Sequence, residues 1–472
     1  MRKLWIAGEW ITTGRELAVT NPYDGSTVDS VALAGPNDAE RALAGAVSGA
    51  SAMRALPAYD RASILRRASQ RLLDEQHALG RLISLEEGKT LAEGVFEVTR
   101  AAETLALSAD EARRIAGEQL PLDAAPGGAG KLGFTLRVPC GVVLAITPFN
   151  FPLNLVCHKV GPALAGGNSV VVKPASDTPL TALRLVEILL ECGLPPLGIA
   201  CLAGGGAELG SLLAADARVR KISFTGSADV GRQLCAVAGL KRVTMELGSN
   251  SPLIVMPDAD IERAATAIVA TGYGNAGQVC ISTQRVIAVG NSHGELIDAL
   301  TPRVRDLRCG DPLAPETQMG PMIRERDAIR VADWIGEAVA DGATLVCGGD
   351  REGTRLAPTL LDQVQPRMRI CREELFGPAV GVARVESLDE AIALANDSRY
   401  GLSAGIFTRD LATAMRFARE VESGNLHINW GPGWRADLMP YGGLKDSGFG
   451  KEGPRYAIEE MTELKTVILH GG

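Results

Sequence analysis

Residues 138–157 read VPCGVVLAITPFNFPLNLVC, twenty positions without a charge. That length matches a membrane-crossing helix. Pro139, Pro148 and Pro152 interrupt the run, however, and Asn150 and Asn154 would bury amides in hydrocarbon. Proline removes a backbone donor and breaks a helix interior. The run therefore reads as a buried strand, VVLAI, that leads into a proline-punctuated loop. SVVVK at 169–173 has the same apolar signature. A helix is expected over 179–192, with Pro179 in its first turn and Thr178 as its N-cap. Further strands are expected at 199–202, 221–224, 253–255 and 285–289. Helices are expected at 207–213, after FTGS up to 237, and at 261–273, 323–340 and 388–396. This alternation predicts parallel sheets with ligand sites at the carboxyl ends of strands.

Outward from the centre, helical spacing predicts helices at 37–53, at 60–85 with Asp60 as N-cap, and at 93–115. A Pro/Gly-rich patch at 121–130 separates them from the strand-like KLGFTLRVP. The tail TELKTVILH reads as a terminal strand in need of a partner, in this chain or in a second subunit. The whole chain has 472 residues, enough for two to four domains. Its 48 Lys and Arg against 56 Asp and Glu, net −8, offer no footprint for nucleic acid and no pull toward anionic membranes. Gly8, Glu9 and Gly14 break the N-terminal apolar stretch, so no signal-peptide core is expected. Five histidines lie too far apart for an HExxH site, and no metal is expected. Nine cysteines, an odd number without a CxxC pair, point to reduced thiols in a cytoplasmic protein.

Two Gly-rich turns stand between strand and helix. Gly204-Gly205-Gly206 with Gly210 approximates a dinucleotide fingerprint with one extra residue, and FTGSADVG places Gly226 and Ser227 at a helix start. Backbone N–H groups there suit a pyrophosphate, although a plain tight turn has the same composition. Lys173 ends a strand, where it faces either a ligand crevice or solvent. Cys280 sits in GNAGQVCIS, among small and polar residues, unlike Cys235 in an apolar helix. An accessible thiol of lowered pKa is a nucleophile, and a buried one is packing. Glu246 in MELGSN, Asn150 in PFNFP, and Glu374 and Phe376 in EELFGP are polar or aromatic groups at strand ends or in loops.

PFNFP, VVVKPAS, FTGS, MELG, GQVC, EELFGP, PYGGLKDSGFGKEG and ELKTV stand in the order seen in the NAD(P)-dependent aldehyde dehydrogenase superfamily. The chain resembles that family from about residue 21 to its C-terminus. The resemblance implies an α/β fold: a doubly wound dinucleotide-binding domain (1–117 and 141–245), an α/β catalytic domain (246–430) and a small β oligomerisation hairpin (118–140 and 451–472). It also implies a homodimer or homotetramer and NAD or NADP as cofactor. It makes Cys280 the nucleophile, Glu246 the general base and Asn150 an oxyanion donor. Lys173 would hold the adenosine ribose, Gly226 and Ser227 the pyrophosphate, and Glu374 the nicotinamide ribose, with Phe376 near the ring. Ser176, Gly206, Gly210, Phe224 and Leu247 complete the implied cofactor set. Glu452, in GKEG, matches a proton-relay position.

The chain also departs from the family pattern. Ser249 stands where members often carry a second Gly, close to the expected base. Ser176 stands where NAD-preferring members often carry Glu, and Asp177 is its acidic neighbour. Trp434 and Arg435 precede PYGG, and Arg100 lies on a helix that often lines the entrance. They suggest a small polar or anionic aldehyde: succinate semialdehyde, lactaldehyde, glyceraldehyde, or a phosphono- or sulfo-aldehyde. Ordinary ion pairs are the alternative role for the two arginines. Relatives acting on phosphorylated substrates often place Arg just before the nucleophile, where this chain has Val279. A CoA-acylating dehydrogenase and a non-catalytic dinucleotide-binding protein are the competing functions.

Overall fold

Val142–Ile146, buried at all five positions, lies near the centre of an eight-stranded sheet. The computed structural model describes residues 1–470. The strand order across this sheet is Glu9–Ile11, Leu4–Ile6, Ile199–Cys201, Ser169–Lys173, Val142–Ile146, Val219–Thr225, Arg242–Glu246 and Gly448–Phe449. The five inner strands are parallel. Helices cover both faces of such a sheet, so its strands read as continuous apolar runs. The order reverses between Val142–Ile146 and Val219–Thr225, which opens a crevice at their carboxyl ends.

A seven-stranded sheet follows, in the order Thr344–Cys347, Thr359–Asp362, Ala379–Val385, Thr283–Val289, Ser251–Val255, Ser403–Phe407 and Asn425–Ile428. All but its first strand are parallel. Residues 247–250 alone join Glu246, at the end of one sheet, to Ser251, at the start of the other. The carboxyl edge of the first sheet therefore meets the amino edge of the second. The terminal strand Thr462–His470 pairs antiparallel with Lys131–Pro139 of the same chain along its full length. That sheet leaves Leu132, Leu136, Leu464, Ile468 and Leu469 exposed. Residues 451–460 stay with the body: Glu452 is buried, and helix Pro454–Glu460 packs on helix Asn154–Ala165.

Local rules failed at four places, three of them through a tertiary contact or a proline. The expected 60–85 helix is two helices, Ala58–Asp74 and Gln76–Glu87, broken at Glu75. The Glu75 carboxylate accepts from Arg184 of another helix, at 2.6 and 2.9 Å. Pro57, not Asp60, is the N-cap, and Asp60 falls in the first turn. Helix Leu180–Glu191 starts without Thr178 as its cap. Its free Leu180 and Thr181 N–H groups donate instead to the buried Glu86 carboxylate, at 2.8 and 3.0 Å. Expected helix 207–213 is a π turn, Gly206–Gly210, running into Ser211–Ala215. Among the described residues no helix is long and apolar enough to cross a membrane.

Candidate active site

A cavity of about 580 Å³ occupies the crevice where the two sheets meet. Phe149, Asn150, Phe224, Gly226, Ser227, Glu246, Leu247, Cys280, Glu374 and Phe376 all line it. Residues scattered over more than two hundred positions converge because strand ends of one sheet and loops of the other share one gap.

Cys280 follows a strained loop. Asn275, Ala276 and Gly277 are left-handed in succession, at φ 48°, 52° and 69°. Asparagine tolerates that conformation better than most residues, and alanine does not. At Gly277 a Cβ would collide with the Gly377 carbonyl, so only glycine fits. Two carboxylates, the buried Glu87 and the half-buried Glu93, hold the loop: Asn275 Nδ2 donates to Glu87 at 2.8 Å and its backbone N–H to Glu93 at 2.7 Å. The Cys280 thiol lies 3.2 Å from the Tyr441 hydroxyl. Burial pushes the thiol up to about 11, and the Tyr441 hydrogen bond opposes that rise.

Asn150 donates one amide hydrogen to the Gln278 carbonyl at 2.8 Å, which ties it to the nucleophile loop. Its own carbonyl accepts from Lys89 at 2.6 Å. Lys89 is 1% exposed and paired with Glu97 at 2.7 Å. Glu97 in turn accepts from the Leu153 and Asn154 N–H groups, at 2.9 and 3.0 Å, at the start of helix Asn154–Ala165.

Glu246 is 3% exposed, and neither carboxyl oxygen has a hydrogen-bond partner among the described residues. Burial first, and the Glu452 charge second, push its pKa well above the carboxylate range. Glu452 is buried but sits between Lys159 at 2.8 Å and Arg435 at 3.0 Å, and these cations hold it below that range. A carboxyl that favours the neutral form thus stands near one that stays ionised. The Ser249 hydroxyl turns away from this pair and meets Ser251 Oγ at 3.1 Å.

Of the expected cofactor residues, Gly206, Gly210, Phe224, Gly226, Ser227, Leu247, Glu374 and Phe376 line the cavity, and Lys173 and Ser176 do not. Lys173 is buried, and among the described residues its ammonium makes one hydrogen bond, at 3.3 Å to the Pro174 carbonyl. Burial lowers its pKa to about 8. Ser227 caps helix Ala228–Ala238 by accepting from the Val230 N–H. Gly226 differs from expectation: its N–H donates to the Glu246 carbonyl at 3.0 Å and is not free for a phosphate. The Leu247 N–H is likewise taken, by the Ser447 carbonyl at 3.0 Å. Ser176 Oγ donates to the Gly204 carbonyl at 3.0 Å, and Asp177 pairs with Arg324 at 2.8 Å. Around Gly206 a Cβ would meet nothing, and at Gly210 only the Lys173 stem. Glu374 accepts from the Ser249 N–H at 3.0 Å, and burial pushes it up to about 7. A Cβ on Gly248 would run into that carboxylate. Phe376, left-handed at φ 54°, stands edge-on to Phe149 at 5.9 Å. A buried lysine with no paired carboxylate, open space over glycines and a helix N-terminus fit a dinucleotide.

The three expected substrate residues do not line this cavity. Arg100 makes a bidentate pair with Asp437, at 3.0 and 2.8 Å. Trp434 is exposed, edge-on to His427 at 6.3 Å. Arg435 is buried beside the reacting groups, bound to Glu452, with its guanidinium 3.9 Å from the centre of the Tyr441 ring. It also lies 3.2 Å from His158, whose Nε2 is 2.8 Å from Asp437. Burial and the Arg435 charge push His158 down to about 4, so it is neutral near pH 7.

Sequence reasoning passed over Tyr441, Glu87, Lys89, Glu97 and the His158–Asp437 pair. PYGG served to place Trp434 and Arg435, yet its tyrosine meets the thiol. LEEGKT looks like a solvated helix end, because no local pattern shows that its charges are buried.

Residues 10–467 match the aldehyde dehydrogenase family. The chain is 46% identical to 3-sulfolactaldehyde dehydrogenase of Priestia aryabhattai, over 99% of this chain and 98% of that one. Its structure is similar to aldehyde dehydrogenase 21 of Physcomitrella patens, solved in complex with the reaction product succinate. The TM-score is 0.97, with 36% identity over 100% of this chain and 98% of that one. Glyceraldehyde-3-phosphate dehydrogenase of Methanocaldococcus jannaschii, complexed with NADP, aligns at TM-score 0.94 with 34% identity, over 97% and 100% of the two chains.

Proposed function

The chain belongs to the aldehyde dehydrogenase family, and on that premise we propose that it oxidises a small polar or anionic aldehyde to the carboxylic acid through a thioester on Cys280. The observation that carries this reading is that Cys280, Asn150, Glu246 and the dinucleotide-fitting wall share one cavity.

The Cys280 thiolate adds to the aldehyde carbon, and the carbonyl oxygen becomes an oxyanion. The second Asn150 amide hydrogen and the Cys280 backbone N–H are its donors. Losing one such donor costs roughly 2.7–4 kcal/mol of barrier. Lys173, Ser227 and Glu374 would hold NAD or NADP, which would supply the hydride acceptor for oxidation of the thiohemiacetal to a thioester. Glu246, whose pKa burial raises well above the carboxylate range, removes a proton from the water that attacks the thioester, releasing acid and thiolate. Glu452, kept ionised by Lys159 and Arg435, acts instead through its charge, which raises the proton affinity of Glu246. Ser176 presents no negative charge to a 2′-phosphate, and Asp177 is neutralised by Arg324. Both observations support NADP use alongside NAD.

The substrate class rests on the relatives, whose names carry a sulfonate, a carboxylate product or a phosphate. Arg435, buried beside Cys280 and paired with Glu452, is the cation we assign to the anionic end, which would share it with Glu452. An aldehyde panel with both cofactors, read by nicotinamide reduction, tests this reading. We expect kcat/KM to favour anionic or hydroxylated aldehydes, and Arg435→Ala to narrow that preference. Equal activity of Arg435→Ala on anionic and neutral aldehydes would remove the anchor, and acyl-CoA as product would replace water by CoA as acceptor. The exposed leucines of the Lys131–Pro139 and Thr462–His470 sheet support assembly into a homodimer or homotetramer.

A further inference from the structure

We propose that Tyr441 is a catalytic hydrogen-bond donor to the Cys280 thiolate, held in place by Arg435 across its ring. The proposal rests on Cys280 being the nucleophile. Two contacts define the geometry: Tyr441 Oη lies 3.2 Å from Cys280 Sγ, and the Arg435 guanidinium carbon lies 3.9 Å from the ring centre. The ring is 3% exposed and packs with Ile281 and Leu402. Its backbone is clamped to Glu452 by two hydrogen bonds, Tyr441 N–H to the Glu452 carbonyl at 3.1 Å and the reverse at 2.7 Å. A thiolate only accepts, so in the reactive state the phenol must donate. A cation over the ring face both fixes the ring and favours that donation electrostatically.

The charged groups that face the thiol divide. Tyr441 and Arg435 favour the thiolate, while Glu374 and Glu246 oppose it, and burial opposes it most. Burial keeps the phenol itself protonated, so it remains a donor throughout the neutral range. Removing the hydroxyl therefore removes the one direct hydrogen bond that offsets burial at the sulfur.

The test is alkylation of Cys280 by iodoacetamide as a function of pH, located by mass spectrometry, in the wild type and in Tyr441→Phe. Cys280→Ser serves as the blank. We expect Tyr441→Phe to shift the alkylation midpoint up by about one pH unit and to slow alkylation about tenfold at pH 8. Cofactor affinity should be unchanged. Superimposable profiles for the two proteins would overturn the proposal while leaving Cys280 as nucleophile. An unreactive Cys280 in the wild type would instead overturn the nucleophile reading itself.

Discussion

The cavity lies against the carboxyl ends of the eight-stranded sheet, where Ile146, Phe224 and Glu246 reach it, but against the amino edge of the seven-stranded sheet, where Cys280 precedes Thr283. A carboxyl edge at a switch point is a preformed crevice, so its strand-end residues face the ligand with little special machinery. An amino edge supplies no such crevice. There the chain builds the site with a left-handed run of three residues, held by Glu87 and Glu93. Each non-glycine residue in such a conformation costs of order 1–3 kcal/mol, and the surrounding hydrogen bonds must offset it. The preformed crevice thus accounts for the proposed cofactor wall, whereas the proposed nucleophile stands on a locally constructed loop.

That contrast predicts which measurement each substitution moves. Cys280→Ala, at the amino edge, should cut turnover by roughly 10⁴-fold or more while cofactor titration stays unchanged. Appreciable aldehyde oxidation in that variant would remove the amino edge from the chemistry. Glu246→Gln crosses the divide, since a carboxyl-edge residue is assigned a chemical step. It should lower steady-state turnover by roughly 10²–10⁴-fold and leave acyl-enzyme detectable by intact mass. Normal turnover with no accumulated adduct would confine the first sheet to binding.

Lys173→Ala, on the carboxyl edge, should raise the cofactor KM about tenfold with kcat little changed, a loss of about 1.4 kcal/mol. A fall in kcat at unchanged KM would blur the division between the edges. The smallest effect is on stability. Burial raises Glu87 from 4.5 to about 8, so the folded protein binds its proton more tightly than the unfolded chain. Its contribution is fully present below about 4.5 and is lost as pH rises through about 8. Glu87→Gln should flatten the decline in Tm between pH 5.5 and 8.5. An unchanged slope would detach Glu87 from the support of the nucleophile loop.

The strands at 142–146, 169–173, 199–202 and 221–224 of the first sheet, and 253–255 and 285–289 of the second, were legible because apolar runs survive without context, whereas the other five strands of the second sheet were not anticipated. The 388–396 and 462–470 elements begin and end where expected. Helix starts were less legible, because Glu86 and Arg184 act on them from distant elements. Cys280, Glu246 and Asn150 stood out through motif order. What those residues touch did not, since Gly226 spends its N–H on Glu246 and Arg100 spends its charge on Asp437.

By itself the sequence determined the alternation of elements, the run of motifs and the family, all of which are written in local composition and order. Only the tertiary structure decided which charges are buried together, that Tyr441 meets the thiol, and that the arginines are already paired. Burial and pairing depend on elements hundreds of residues apart closing on one gap, and no local pattern encodes that distance.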